Sequence, residues 1–231
     1  MTGSDRRAGE QRLLADRDVA SRIAIVMWVV AVAFSVAVAI QASAGWIQSV
    51  DDQVYTFVVE HEVDALVRFG EILGIVGSIV VMAPVMIGVA VVLVVKRRWS
   101  ALTIWVVAIA VSQLASITMK NLYERPRPLL PLVETTSFSF PSGHAITGAV
   151  FAVGLMIVLV PPIRRRPSYR VIAVAYIVAM AWSRVYVRAH WLSDVTAGVA
   201  IGVAIAVTAA LTVMKLDDRA LSHDGTDGSG S

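Results

Sequence analysis

The chain has 231 residues, of which 57% are hydrophobic and only 16% charged, with a mean hydropathy of +0.73 and a formal charge of +3. Soluble domains carry about a quarter charged residues, so this balance describes a membrane protein, and so small a net charge gives no footing for nucleic acid as a partner. Cysteine is absent, which excludes disulfides and every thiolate nucleophile or metal site.

Residues 1–22 are charged and polar and predict an N-terminal arm. A membrane-spanning helix needs roughly 20 mostly apolar residues. Six stretches meet or approach this, about 23–44, 72–95, 99–119, 144–162, 171–188 and 191–214. The first ends in Ala42-Ser43-Ala44, which resembles a signal cleavage site, but its apolar run exceeds the roughly 7–15 residues of a signal core and reads as an anchor. Between the first two spans, 45–71 carries Asp51, Asp52, Glu60, Glu62, Asp64 and Glu71 against Arg68. Val50, Val54, Phe57, Val58, Ala65 and Leu66 fall near helical spacing there, which predicts a short helix lying on the bilayer surface. Residues 216–231 end in a Gly/Ser/Asp-rich run and predict a disordered tail.

Arginine and lysine set the orientation. Arg6, Arg7, Arg12, Arg17 and Arg22 precede the first span, Lys96 to Arg98 follow the second, Arg164 to Arg166 and Arg170 follow the fourth, and Lys215 and Arg219 follow the sixth. Basic residues mark the cytoplasmic side, so both termini are expected there. The expected fold is all-α: a six-transmembrane-helix bundle over 23–215 with cytoplasmic termini, in a lipid bilayer. Its oligomeric state is not written in the sequence.

The external side holds cations that this rule does not explain: Lys120, Arg125, Arg127, Arg184 and Arg188. Any one of them alone reads equally as a headgroup anchor. As a set they stand at the ends of spans with Ser142, Gly143, His144, Ser183, His190 and Asp194, and converging charge at a membrane surface points to function. Ser142 reads as the N-cap of a helix with His144 in its first turn, and the free N–H groups of such a turn bind oxyanions, with Gly143 permitting close approach. His190 and Asp194, four residues apart, fall on one face if both are helical; a carboxylate holding Nδ1–H leaves Nε2 as an oriented lone pair. A first-turn Asp favoured by the helix dipole explains the pair equally well in isolation. A phosphoryl-transfer transition state spreads negative charge over three oxygens, which Lys120, Arg127 and Arg184 can neutralise, while His144 can protonate a leaving group. No acidic cluster suited to a metal ion accompanies them, so the expected chemistry is free of metal and cofactor.

Lys120-Asn-Leu-Tyr-Glu-Arg-Pro-Arg127-Pro128, Pro141-Ser142-Gly143-His144 and Ser183-Arg184-Val-Tyr-Val-Arg-Ala-His190-Trp-Leu-Ser-Asp194 together resemble the three ordered motifs of the type 2 phosphatidic acid phosphatase family, integral-membrane lipid phosphatases related to vanadium haloperoxidases. The resemblance implies that His190 attacks phosphorus and becomes a phosphohistidine, that Asp194 orients it and that His144 protonates the departing oxygen. It implies that Lys120, Arg127, Ser142, Gly143 and Arg184 hold the phosphoryl oxygens, with Ser183 either joining them or bracing Arg184. The expected substrates are phosphatidic acid, phosphatidylglycerol phosphate or undecaprenyl diphosphate, cleaved at the extracytoplasmic face of a bacterial plasma membrane. Arg125, Arg188 and Tyr123, beside the motifs, are candidates for a second phosphate or for anionic headgroups. A lipid-to-lipid phosphotransferase would use the same site, and a transporter or scaffold is the non-enzymatic alternative.

Overall fold

The structure is a computed structural model and describes residues 3–40, 45–160 and 167–227. Ala42-Ser43-Ala44 and the cluster Arg164 to Arg166 lie outside these residues. All regular structure among the described residues is helical: α1 (Gly3–Ala39), α2 (Trp46–Glu60), α3 (Asp64–Val76), α4 (Ile79–Val95), α5 (Trp99–Tyr123), α6 (Gly143–Leu159), α7 (Pro167–Tyr186) and α8 (Leu192–Asp227).

Helix α8 is the hub, packing on α1, α2, α5, α6 and α7. Its buried face is built largely from small side chains, Ala197, Ala200, Ala204, Ala206 and Ala209, with Ile201 and Ile205 between them. Lipid tails are as apolar as Leu, so helices in a bilayer associate by close packing of small residues. A Cβ at Gly198 would stand 2.8 Å from the Ser142 carbonyl oxygen, and one at Gly202 would stand 2.6 Å from that of Ile146. Their absence seats the start of α6 on the first turns of α8. Those two helix starts carry much of the candidate site.

The exterior is apolar. Val80, Val95 and Val171 are 77%, 76% and 66% exposed among many large hydrophobic residues on the surface, a coat suited to lipid rather than water. Among the described residues, three helices are long and apolar enough to cross a bilayer, over Arg17–Ala39, Trp99–Tyr123 and Leu192–Arg219, and α3 with α4 makes a fourth if that bent pair is one span. Helix α6, with 17 residues, rises only about 25 Å at 1.5 Å per residue. Helix α7 carries Arg170 and Arg184 among its 20 residues, which dilutes its apolar run.

Several elements differ from expectation. The stretch 72–95 is not one helix: Ser78 is extended at ψ 154° and the axis bends by 47° at Gly77–Ser78, while α4 runs through Pro84 unbroken. The Ser78 hydroxyl bonds the Ile75 carbonyl at 2.7 Å, satisfying an acceptor at the end of α3. The single surface helix expected in 45–71 is two elements, α2 and the start of α3, and α2 buries Ile47, Asp51 and Val58 rather than lying free. Helix also continues through parts of the expected arm and tail, because neither 10–22 nor 215–224 contains Gly or Pro and each further residue adds a backbone bond. Arg17 and Asp218 pair at 2.6 Å, tying these two extensions together.

Candidate active site

Helix α5 ends when Glu124 adopts a left-handed conformation at φ 44°, placing Lys120 in its last turn and throwing Arg125-Pro126-Arg127-Pro128 out as an irregular strap. The strap is pinned by Ser139 N–H to the Arg125 carbonyl at 2.9 Å and by the Trp191 indole N–H to the Pro126 carbonyl at 2.9 Å. Ser142 is the N-cap of α6, its side chain accepting from Ala145 N–H at 3.4 Å, as expected. Its own N–H donates to the Asp194 carbonyl at 3.1 Å, joining the starts of α6 and α8. At the end of α7 the Arg184 carbonyl accepts from both Ala189 N–H and His190 N–H, at 3.0 and 3.2 Å, with Arg188 left-handed at φ 57°.

That turn delivers His190 before α8 begins, so the imidazole is not helical, contrary to the one-face reading. The pairing with Asp194 survives by another route. Asp194 is the third residue of α8, and its Oδ2 reaches back to Trp191 N–H at 3.0 Å, the acidic half of a capping box. The same oxygen stands 3.5 Å from His190 Nδ1 and accepts the Ser139 hydroxyl proton. Ser139 Oγ lies 3.4 Å from Nδ1, so the Nδ1–H is shared between carboxylate and hydroxyl. Nε2 is left as the lone pair, 3.3 Å from Arg127 Nη1. A buried imidazole in this tautomer is a poised nucleophile or base.

Around it stand the predicted cations. Arg127 donates to the Ser137 and Ala189 carbonyls at 2.6 Å each, and Lys120 Nζ donates to the Phe138 carbonyl. Arg184 donates from Nη2 to the Gly70 carbonyl at 2.5 Å and from Nε to Ser183 Oγ at 3.1 Å; Ser183 in turn donates to the Met180 carbonyl, so it braces Arg184. His144 Nε2 carries its proton, since it meets the Gly74 carbonyl at 3.1 Å. Helix α3 therefore lies against the site, and a Cβ at Gly74 would collide with the Arg184 guanidinium. The Cβ position of Gly143 faces Ser116 Oγ at 3.5 Å.

The three flanking candidates each have protein partners. Arg125 is 4% exposed, with one guanidinium nitrogen on Asp194 Oδ1 and Ser193 Oγ and the other on Asp51 Oδ2 and Gln48 Oε1. All four of these partners are protein groups. Arg188 pairs with Glu62 at 2.8 Å, and Tyr123 packs its ring on Phe140 at 4.8 Å. Ser139, Ser193, Gln48 and Asp51 were not anticipated. Asp51 alone left a signal: Ile47, Asp51, Val54 and Val58 share one helical face, so an acid stands in an apolar stripe.

Burial pushes the His190 imidazole down from its ordinary 6.5 to about 4, against the raising effect of Asp194 and with Arg127 and Lys120 adding to the fall. It is therefore neutral at pH 7 and protonates only in acid. If it must be neutral to react, the acid limb of kcat/KM, corrected for the ionisation of the substrate phosphate, falls toward tenfold per unit only below about pH 4. A turn near pH 6.5 in that profile would show an exposed imidazole instead.

Two imidazoles and three cationic side chains gathered at the helix ends of an apolar bundle define a membrane protein with an oxyanion-binding pocket. A family model for the PAP2 superfamily matches residues 101–218, which include all of Lys120, Arg127, Ser142, His144, Arg184, His190 and Asp194. The chain belongs to the PAP2 superfamily. Phosphatidylglycerophosphatase B of Bacillus subtilis (strain 168) is 31% identical over 111 residues, 46% of this chain and 54% of that protein, so the chain spans about half the length of the curated relative it matches. The crystal structure of the transmembrane PAP2 type phosphatidylglycerolphosphate phosphatase from Bacillus subtilis superposes with a TM-score of 0.70 at 25% identity, covering 85% of this chain and 96% of that one. Aquifex aeolicus LpxE shares the fold, with a TM-score of 0.56 at 21% identity over 68% of this chain and 92% of its own.

Proposed function

We propose that this protein is a lipid phosphatase that hydrolyses a phosphate monoester of a membrane lipid at the extracytoplasmic face, without a metal ion, through a phosphohistidine on His190. The observation that carries the reading is the His190 ring, held at Nδ1 by Asp194 and Ser139 with Nε2 turned toward Arg127. Nε2 attacks phosphorus in line, the P–O bond to the lipid breaks, and its electron pair leaves on an alkoxide protonated by His144 acting as the imidazolium, which is left as the neutral ring with Nε2–H on the Gly74 carbonyl. Water then attacks the phosphohistidine, giving a proton to His144, and the P–N bond breaks to release inorganic phosphate. Lys120, Arg127 and Arg184, with the N–H groups at the start of α6, neutralise the three equatorial oxygens.

The placement of the site outside the cytoplasm rests on the basic residues that flank the other helix ends, and six spans with cytoplasmic termini is the topology that satisfies them. The likeness to phosphatidylglycerophosphatase B points to phosphatidylglycerol phosphate as the first substrate to try. With Arg125 and Arg188 both engaged by carboxylates, a diphosphate such as undecaprenyl diphosphate has no dedicated partner there.

Purified protein in detergent with EDTA present is expected to release phosphate from phosphatidylglycerol phosphate faster than from phosphatidic acid or undecaprenyl diphosphate. Rapid acid-free quenching of enzyme turning over 32P-labelled lipid is expected to trap label that is stable to alkali and lost in acid, as a P–N bond requires. Loss of activity in EDTA with recovery on adding a metal, or acid-stable label, would overturn the mechanism.

A further inference from the structure

Helix α2 belongs to none of the three sequence motifs and lies outside the residues matched by the family model, yet it enters the site from beneath. Asp51 is 2% exposed. Its Oδ1 accepts Ser193 N–H at 2.9 Å, and its Oδ2 accepts the Ser193 hydroxyl at 2.5 Å and Arg125 Nη2 at 2.7 Å. Arg125 Nη1 then donates to Asp194 Oδ1 at 2.6 Å. Asp194 is the residue whose other oxygen meets His190. The result is a continuous buried chain, Asp51 to Arg125 to Asp194 to His190, running from α2 to the imidazole.

We infer that Asp51 and Arg125 are positioning residues: they hold the plane of the Asp194 carboxylate against His190 and leave its negative charge available to the imidazole when phosphorus is attacked. The inference rests on the phosphohistidine reading above. Its first part is geometric. A carboxylate on the first turn of a helix can rotate about two bonds, and Arg125 fixes one oxygen while Trp191 N–H and Ser139 fix the other. Its second part is a charge balance. One guanidinium between two carboxylates carries a net charge of −1, and the imidazole becomes cationic as its Nε2 bonds to phosphorus. Were Asp51 neutral, Arg125 would cancel Asp194, and the ring would develop its charge in a buried site whose three cations already balance the phosphoryl oxygens, with no carboxylate charge left over for the imidazole. Outer partners of an oriented histidine are typically worth about 10- to 100-fold.

The test measures kcat and KM for phosphatidylglycerol phosphate in detergent micelles, with inhibition by orthovanadate, which mimics the five-coordinate transition state, and by inorganic phosphate, which does not. Asp51→Asn is expected to lower kcat about 10- to 100-fold with KM within about twofold. Orthovanadate inhibition should weaken by a similar factor and phosphate inhibition should hold. A merely structural role predicts that adding a second lesion multiplies the losses. A charge-balancing role predicts that Asp51→Asn with Arg125→Gln loses less than the two single losses multiplied, because Asp194 is then unopposed in charge even though Arg125 no longer orients it.

Wild-type kcat in Asp51→Asn, a double variant with multiplied losses, or phosphate and vanadate inhibition falling together would each overturn the inference. Should Asp51→Asn fail to fold, Ser193→Ala removes only the hydroxyl that bridges Asp51 and Arg125. It is then expected to lower kcat about fivefold at constant KM, the scale of one hydrogen bond, and an unchanged kcat would overturn the inference. His190→Ala is assayed beside these variants. Residual turnover there would sink the phosphohistidine reading itself, whereas its abolition with a fully active Asp51→Asn would sink only the present inference.

Discussion

His190→Ala is expected to abolish phosphate release, by at least about 10⁴-fold, and to leave no alkali-stable label on the protein. The size follows from the proposed covalent role: removing an attacking atom would remove the pathway, and the surrounding cations could then only assist water. The same substitution is expected to leave the fold intact. The ring is buried, but its neighbours retain partners without it: Asp194 keeps Arg125, Ser139 and Trp191 N–H, and Arg127 keeps the Ala189 and Ser137 carbonyls. Helix content and melting temperature close to those of the unmodified protein, with activity at background, is the expected pair of results. Activity retained within tenfold would assign the chemistry to another group.

Asp194→Asn is expected to lower kcat by about 10³- to 10⁴-fold, the scale seen when an amide replaces a carboxylate behind a catalytic imidazole. An amide can turn its NH₂ toward Nδ1, which forces the proton to Nε2 and removes the lone pair facing Arg127. Unlike the change at His190, this one also reaches stability. Asp194 is fully buried, forms an ion pair with Arg125 at 2.6 Å and accepts the Trp191 N–H of the α8 cap. Breaking a buried pair costs about 3–5 kcal/mol, so a lower melting temperature should accompany the lost rate. A variant that melts early but turns over normally would give Asp194 a purely structural role.

The signature residues could be read from the sequence because each motif is short and its chemistry local. Ser142 caps α6 through a contact three residues away, and Arg184 and His190 sit in one turn, so spacing alone places them. What spacing does not contain is the long-range half of the site. Arg125 looks like a neighbour of Arg127 in the chain, but the strap is irregular and this side chain turns inward to Asp51 and Asp194. Asp51 was hidden among acidic residues of an external segment, where charge balance describes the segment and not the one side chain that is buried. The break at Gly77–Ser78 was masked by apolar residues on both sides, since hydropathy does not register a bend. The approach of Gly74 to Arg184, that of Gly70 to Val187 and the closeness of α6 to α8 depend on Cβ atoms that are absent, a feature visible only once the partners are in place.

The turn from Arg184 to His190 couples two groups with different histories in the chain. Its carbonyl at 184 binds both Ala189 and His190, so Arg184 and the His190 imidazole are joined by one short turn; Arg127 meets that turn through the Ala189 carbonyl, whereas Lys120 and His144 come from other helices. Tolerance of changes in chain length should therefore be uneven along the external face. The segment 129–131, where all three residues are exposed, touches none of the pocket side chains and is expected to tolerate an added residue at 130–131, between the Leu129 carbonyl that accepts the Tyr55 hydroxyl and the Leu132 N–H that meets Val187. One residue added or removed within 185–189 would rotate the imidazole away from its cation, leaving a protein with every motif residue present and no working arrangement of them.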